Sequence, residues 1–520
     1  MSEPIPLLWQ MMSDVDDLPS GFQADWTAMC RQWSMRVDRN MLRSTYYDGR
    51  NRLKNLGIAV PDSLESAKLD EVVGWPAKAV DVLANRVRFD GFVTTGDDLD
   101  PLGLDEVLQA NDFIGMLPQA TRSGLTHSCS FLAVRSATPE DGIDSKVVVS
   151  FHSALYATGL WSWERHGLTA AMTILDIDQR IYADTHTLVP SEIMLYEPGF
   201  TVRIHRLSNG RYIADEPRET NMGHVPVYVL PYHQDLHRPF GRSRINREVM
   251  SLTDTAVRTM LRMEVSAEFY SSPQRYLLGA EPPAGVSGKT LTGWQAALSK
   301  MLVIGRDEDG QMPSIGQFSQ MTMQPHSDML RTLAGRFSGA TGVPMAQLGV
   351  MTDSGPSSAD AIAAAETELV IEARNTCDAF GGQLCCAARD MAVLNGTSPD
   401  DEALKHLKVN WRDPERPSQA AMADAVLKMV QAIPWLANSR VILEKLNFPD
   451  ADITRLLSDK RKAAASSVLN DLLRSAGNAA NNPDGSDGAA DRAVGGGQAR
   501  PAGTGQDLAA DTGSAAQPAT

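Results

Sequence analysis

Apolar residues recur at helical spacing through most of the chain and alternate only between about residues 131 and 230. Trp26, Met29, Cys30, Trp33, Val37 and Leu42 make one face of a helix over 24–48, which Tyr46-Tyr47-Asp48-Gly49 stops. Val73, Ala77, Val80, Leu83, Ala84 and Val87 predict a second over Leu69–Phe89, with Pro76 in its first turns or breaking it in two. Two shorter helices follow at Leu104–Asn111 and Phe113–Ser128. The alternating region then predicts short strands at Val147–Val149, Thr173–Ile177, Arg180–Ala183, Ile193–Tyr196 and Thr201–Leu207. Asn209-Gly210 predicts a tight hairpin into Arg211-Tyr212-Ile213.

Helical spacing returns with Ile245, Val249, Leu252, Ala256, Met260, Met263 and Ala267, a helix over 241–270. Residues 271–320 are rich in Gly and Pro, with short apolar pieces at Arg275–Leu278 and Met301–Ile304. Met329, Leu330, Leu333 and Phe337 stripe a helix over His326–Thr341, closed by Gly342 and Pro344. A loop of turn residues, Met345–Pro356, separates it from a long helix. That helix opens at Ser357-x-x-Asp360, a capping-box-like start, and carries Ile362, Leu369, Ala373, Cys377, Phe380, Leu384 and Met391 on one face. Gly381 and Gly382 predict a kink or a close crossing within it. A strand at Leu407–Trp411 and helices over Gln419–Ala432, Asn438–Lys445 and Ala451–Ser475 complete the ordered pattern. Residues 1–20 read as an irregular arm. From Gly477 on, Val494 and Leu508 are the sizeable aliphatics, too few to drive folding, so the tail is expected to be disordered. The pattern as a whole is α+β, mainly helical.

At 520 residues the chain exceeds one ordinary core, and two to four domains are expected. An apolar share of 43% and a charged share of 22% are those of a globular protein. No stretch approaches a membrane span, and the N-terminus lacks the features of a signal peptide. Cys30, Cys129, Cys377, Cys385 and Cys386 show no CxxC spacing and are expected to be reduced, buried thiols. The net charge of −16 argues against a protein that clamps DNA, because tight phosphate binding needs clustered Lys and Arg. It is compatible with a surface along which DNA slides, but on its own it reads as the charge that keeps a large protein soluble.

Several stretches resemble chemical motifs and fall short of them. Gly285-Val286-Ser287-Gly288-Lys289-Thr290 ends like a phosphate-binding loop, but Pro283 stands where its first glycine belongs. His224, His233, Asp235 and His237 form a histidine cluster in a stretch whose Pro231 and Pro239 favour an extended loop over a metal-binding helix. Asp176 and Asp178 share a strand face as a carboxylate pair would, and read as a polar face. Ser243 lacks the second glycine of a nucleophile elbow. Lys460-Arg461-Lys462 reads as a solvated helix face. No catalytic set, cofactor site or metal site emerges.

The words around the interhelical loop are more particular. Thr341-Gly342-Val343-Pro344, Leu348-Gly349, Ser357-Ser358-Ala359-Asp360-Ala361, Glu366 and Leu369 follow one another in a set order. The same holds for Tyr46-Tyr47-Asp48-Gly49, Trp75 with Asp81, Arg86 and Phe92, and Phe240-Gly241-Arg242-Ser243-x-Ile245. Ser272-Pro273-Gln274-Arg275 and Trp411-Arg412-Asp413-Pro414 with Asp424 and Lys428 continue the series. Together they resemble the portal proteins of tailed, siphophage-type bacteriophages, over most of Trp26–Leu473.

The resemblance implies a non-enzymatic ring, a dodecamer, at one capsid vertex of the virion, made in the host cytoplasm. It divides the chain into a helical and β-rich wing (1–238), a stem helix (239–270) and a clip (271–320). A returning stem helix (321–343), a tunnel loop (344–357), a long channel helix (358–397), a crown (398–475) and the tail (476–520) follow. Gln347, Met351, Thr352, Asp353 and Ser354 would face double-stranded DNA in the channel. The implied partners are the terminase large subunit, the major capsid and scaffolding proteins, and the head-completion or adaptor proteins, with no membrane. Two other readings are a P-loop-like enzyme with Lys289-Thr290 at its site, and a head–tail adaptor ring, though adaptors are usually shorter.

Overall fold

The computed structural model describes residues 12, 14–51, 71–94, 100–220, 222–271, 275–278, 314–317, 322–350, 359–415, 419–446, 448, 452–463 and 465–466. The Lys289-Thr290 stretch that falls short of a phosphate-binding loop, the Met301–Ile304 piece, the Ser357 cap and the tail lie outside the described residues.

Within the N-terminal arm a two-residue strand, β1 (Val15–Asp16), is formed, so the arm is not irregular throughout. Helix α1 (Gln23–Tyr47) buries Trp26, Met29, Cys30, Trp33 and Val37, as their spacing requires. Leu42 breaks the expected stripe and is 48% exposed; Asn40 is buried instead, donating to the Ala154 carbonyl at 3.2 Å. Helix α2 (Trp75–Ala84) starts later than expected because Pro76 sits in its first turn. It ends before Phe89, which opens strand β2 (Phe89–Val93). Helices α3 (Leu104–Ala110) and α4 (Phe113–His127) follow as expected.

Strands β3 (Cys129–Ser136), β4 (Val147–Ser153), β5 (Ala157–Ser162) and β6 (Gly167–Ile177) come next. The strand expected at Arg180–Ala183 is instead helix α5 (Gln179–Thr185). The Asp178 carboxylate explains this, accepting from the N–H groups of Arg180 at 3.1 Å and Ile181 at 3.2 Å as an N-cap. Strands β7 (Pro190–Glu197), β8 (Phe200–Arg206), β9 (Tyr212–Ala214), β10 (Arg218–Glu219) and β11 (Val227–Pro231) complete the β-rich region. The Asn209-Gly210 hairpin is present between β8 and β9, with Gly210 at φ 87°. A seven-stranded sheet runs in the order β1-β9-β8-β7-β6-β5 with β10 on β8, and a three-stranded sheet runs β11-β3-β4.

Helix α6 (Arg247–Ser271) begins six residues later than the pattern over 241–270 suggested. Asn246 caps it, accepting from the Val249 N–H at 2.9 Å, while Ile245 packs in the core ahead of the helix. Strands β12 (Arg275–Leu278) and β13 (Ser314–Gln317) pair antiparallel. Helix α7 (Gln324–Thr341) returns along α6, with the Ser266 hydroxyl 3.3 Å from the His326 ring. Met329 is exposed, so the buried stripe of α7 is Leu333, Ala334 and Phe337. A 3-10 turn, Met345–Leu348, follows.

Helix α8 (Ala359–Asn395) buries Leu369, Ala373, Cys377, Phe380, Leu384 and Met391 along one face. It runs without interruption through Gly381 and Gly382; a Cβ at Gly381 would stand 3.6 Å from the Trp411 indole nitrogen, so the close approach is to a strand. Helix α9 (Glu402–Lys405), strand β14 (Lys408–Trp411), helix α10 (Gln419–Ala432) and helix α11 (Arg440–Lys445) follow, with β14 paired to β2.

The chain divides into two compact units, residues 1–447 and 448–520. The first has a main core where α2, α3, α4, α6, α7 and α8 meet the β11-β3-β4 sheet. A second core lies between α1 and the large sheet, and a third between the two sheets. In the second unit the described helix covers 452–463 and leaves Lys460, Arg461 and Lys462 exposed. Cys30, Cys129 and Cys377 are buried, Cys385 is half-buried and Cys386 is exposed, so the expectation of five buried thiols fails at Cys386, on the outer face of α8.

Candidate channel loop and its anchors

Helix α7 stops where the sequence says it must. Gly342 takes φ 65°, a conformation that disfavours any side chain, and its N–H closes on the Ser338 carbonyl at 2.8 Å. Gly349, at φ 77°, ends the 3-10 turn. Between these glycines the chain is tied to the body. The Trp75 indole donates to the Leu348 carbonyl at 3.2 Å. The Gln347 amide donates to one Glu366 oxygen at 3.1 Å. The other Glu366 oxygen accepts from Arg86 at 2.6 Å, and Arg86 also donates to the Pro414 carbonyl at 2.9 Å. Glu366 lies two turns into α8, so this set joins the near end of the loop to the helix that leaves its far end.

A second anchor lies nearly two turns further along α8, at Glu372. Arg244 is buried, with Nε donating to the Ala79 carbonyl at 2.6 Å and Nη2 to the Thr341 carbonyl at 2.5 Å. Its Nη1 donates to the Tyr232 hydroxyl at 2.9 Å and to the Glu372 carboxylate. One guanidinium therefore holds α2, the end of α7, α8 and the chain after β11. Burial alone would lower its pKa, but Tyr232 and Glu372 outweigh burial and the guanidinium is held more firmly charged. The turn that delivers Arg244 needs Gly241: a Cβ there would stand 2.1 Å from the Tyr232 carbonyl oxygen.

Of the residues the sequence placed in the channel, Gln347 is half-buried on the first anchor, at Glu366, while Met351, Thr352, Asp353 and Ser354 lie outside the described residues. The other candidates have structural partners. The Ser243 hydroxyl is buried and donates to the Thr126 carbonyl at 2.5 Å. Asp178 caps α5 and pairs with Arg206 at 2.9 Å, so it does not share a strand face with Asp176. His224 sits 2.9 Å from the Asp390 carboxylate, whose hydrogen bond raises the pKa of His224. His233 takes φ 53° in a loop and His237 lies 3.5 Å from Asp235. Among the described residues no three His, Cys, Asp or Glu side chains gather as metal ligands would.

Sequence reasoning used Trp75, Arg86 and Glu366 as words of a motif without giving them roles, and passed over Arg244, Glu372 and Tyr232. A signal was present: Glu366 and Glu372 are charges on a helix whose neighbours Leu369 and Ala373 are fully buried. Such carboxylates near a core require cations to meet them.

The turn after α7 is strapped by these two anchors to α2 and α8, an arrangement that holds a loop in place and marks a structural protein. The chain belongs to the phage portal protein family, SPP1 Gp6-like, whose model matches residues 30–464. The portal protein of Mycobacterium phage D29 is 29% identical over 401 residues, covering 75% of this chain and 79% of that protein. The portal protein of Mycobacterium phage L5 is 28% identical over 389 residues, covering 74% and 77%. Among solved structures, a chain in the neck of a native GTA particle computed with C12 symmetry aligns with 71% of this chain and 89% of its own length. The identity there is 13% and the TM-score 0.39.

Proposed function

We propose that copies of this chain close into a ring of about twelve around a channel through which the double-stranded genome enters and leaves the head. In this reading α6 and α7 are the stem, β12 and β13 belong to the clip, the two large sheets form the wing, and α9 to α11 begin the crown. The loop between Gln347 and α8 lines the channel, with Gln347, Met351, Thr352, Asp353 and Ser354 facing the duplex. Terminase large subunit, capsid and scaffolding proteins, and head-completion proteins dock on the ring in the virion. The observation that carries the reading is the double anchor at the base of the loop: Arg86–Glu366–Gln347 and Arg244–Glu372 hold its supports while DNA moves past. Met345–Ser358 contain no Lys or Arg, so the loop has no cation with which to hold a phosphate.

The test is electron microscopy of the purified chain, followed by cysteine substitution at Ser354 in assembled particles. The reading expects a closed ring with a central hole and cross-linking of Cys-substituted loops to packaged DNA. A ring whose loop cysteine never reaches DNA would remove the channel role of these residues.

A further inference from the structure

In a chain of net charge −16, one cleft is lined by arginine. It has a volume of about 1040 Å³ and lies between α1, the start of β3, β5 and the turn leading into α6. Arg36, Arg39, Arg43, Arg238, Arg242 and Arg247 line it, and no Asp or Glu does. Arg242 pairs with Asp235 at the rim; among the described residues the other five have no carboxylate partner. Arg36, Arg39 and Arg43 succeed one another at three and four residues along one face of α1, a spacing at which like charges repel. Burial, with the charge of Arg39 adding to it, lowers the Arg43 pKa to about 10. Arg36 instead lies 5.2 Å from the Phe240 ring centroid. Trp161 also lines the cleft, Trp163 is 55% exposed there, and Leu236 nearby is 90% exposed. Arginine and tryptophan together are the composition of a contact surface.

An acidic edge lies at the other end of α4. The cleft contains Ser128 and Cys129, which follow α4 directly, whereas Asp112 directly precedes it. Fifteen helical residues separate the two by about 22 Å. At the far end, Asn395 donates to the Gly103 carbonyl at 3.1 Å and Thr94 to the Ala403 carbonyl at 2.8 Å. The first bond holds the start of α3 at the end of α8, and the second holds α9 beside the end of β2. Asp105, Glu106, Asp400 and Glu402 are exposed on that edge, with Lys146 and Lys405 also reaching it.

We propose that the arginine cleft receives the acidic edge of a neighbouring copy of this chain, carried by Asp105, Glu106, Asp400 and Glu402. The inference rests on the ring reading above and names its charged contact. Two unlike patches at opposite ends of one helix are what a head-to-tail contact repeated around an axis needs. A nucleic acid is the less favoured occupant, because the rest of this acidic chain repels a polyanion.

Charge exchange in the full-length chain tests the pairing. Arg39 and Arg247 are exposed, as are Glu106 and Asp400, so reversal at these sites spares the core. One variant carries Arg39→Glu and Arg247→Glu; a second carries Glu106→Arg and Asp400→Arg. Each alone is expected to fold, by circular dichroism, and to lose at least tenfold in ring yield by light scattering. Mixed, the two are expected to recover rings of alternating variants, as is a single chain carrying all four changes. A wild-type ring that the first variant still matches would overturn the pairing, and so would two ring-deficient variants that do not rescue each other. A first variant that forms rings but no longer binds a short DNA duplex would assign the cleft to nucleic acid and overturn it too. A wild-type chain that never leaves the monomer would overturn the ring reading itself, and this proposal with it.

Discussion

Arg244 shows how much one side chain can organise. It replaces its lost hydration with the carbonyls of Ala79 and Thr341, the Tyr232 hydroxyl and the Glu372 carboxylate. Arg244→Ala would strand Glu372 and two carbonyls, and is expected to cost about 3–5 kcal/mol in chemical denaturation. Arg244→Met with Glu372→Leu should recover part of that loss, since both charges then leave together. Buried histidines set a different response. His127, ringed by the hydroxyls of Ser44, Ser123 and Ser153, and His152, beside Ser150, are pushed down to a pKa of about 4, chiefly by burial. The ordinary value is 6.5, so between pH 6.5 and 4 the unfolded chain binds protons that the folded chain refuses. Their contribution is complete above pH 6.5 and is lost as pH falls toward 4. Melting temperature is expected to drop steeply over that window, and His127→Gln, which stays neutral, should flatten it. Glu197 moves the opposite way. Its carboxyl is buried near Asp25, has an oxygen without a partner among the described residues, and is pushed up to about 7, first by burial. Stability is therefore lost as pH rises from the usual carboxylate range through 7, and Glu197→Gln is expected to gain about 1–2 kcal/mol at pH 8.

At the scale of elements, the loop base makes its own prediction. Glu366→Gln keeps the shape but removes the charge that Arg86 meets at 2.6 Å. The global melt should shift by about 1 kcal/mol or a little more. Amide exchange across 345–350 should speed up by far more than exchange within α7. Uniform exchange would mean that Gln347 and Glu366 do not strap the loop. Elements were legible where a stripe was long: α1, α6, α7 and α8 announced themselves through residues such as Trp33, Leu252, Phe337 and Phe380, all now buried. They were misread where a single side chain decides. The Asp178 carboxylate turned an apparent strand into α5, and Asn246 delayed α6. Leu42 and Met329 continued the spacing of their stripes, but periodicity cannot tell where a helix outruns its neighbours. The anchors were hidden for another reason. Arg244 and Glu372 are 128 residues apart, and nothing local says that they meet.

For the whole molecule, the family was legible in the order of several short phrases, while the charge contacts that hold the loop were not. The same scale yields the sharpest test of what the loop does. An acidic chain with a cation-free loop offers a sliding phosphate backbone no site at which to stop, because stopping requires Lys or Arg to displace counterions. Thr352→Lys together with Ser354→Lys would place new cations at the same height in every copy of a ring. Each phosphate contact steepens the dependence of binding on salt by about one power of concentration. Packaging of DNA into heads carrying the doubly substituted chain is therefore expected to slow several-fold at low salt and to recover as salt rises, whereas Thr352→Gln with Ser354→Gln should package at the normal rate. Ring formation should be the same in both, because these residues lie far from the arginine cleft in sequence and the substitutions leave the anchors at Gln347 and Glu366 intact. Equal packaging rates at all salt concentrations would mean that the loop does not face the DNA, even if the ring is correct.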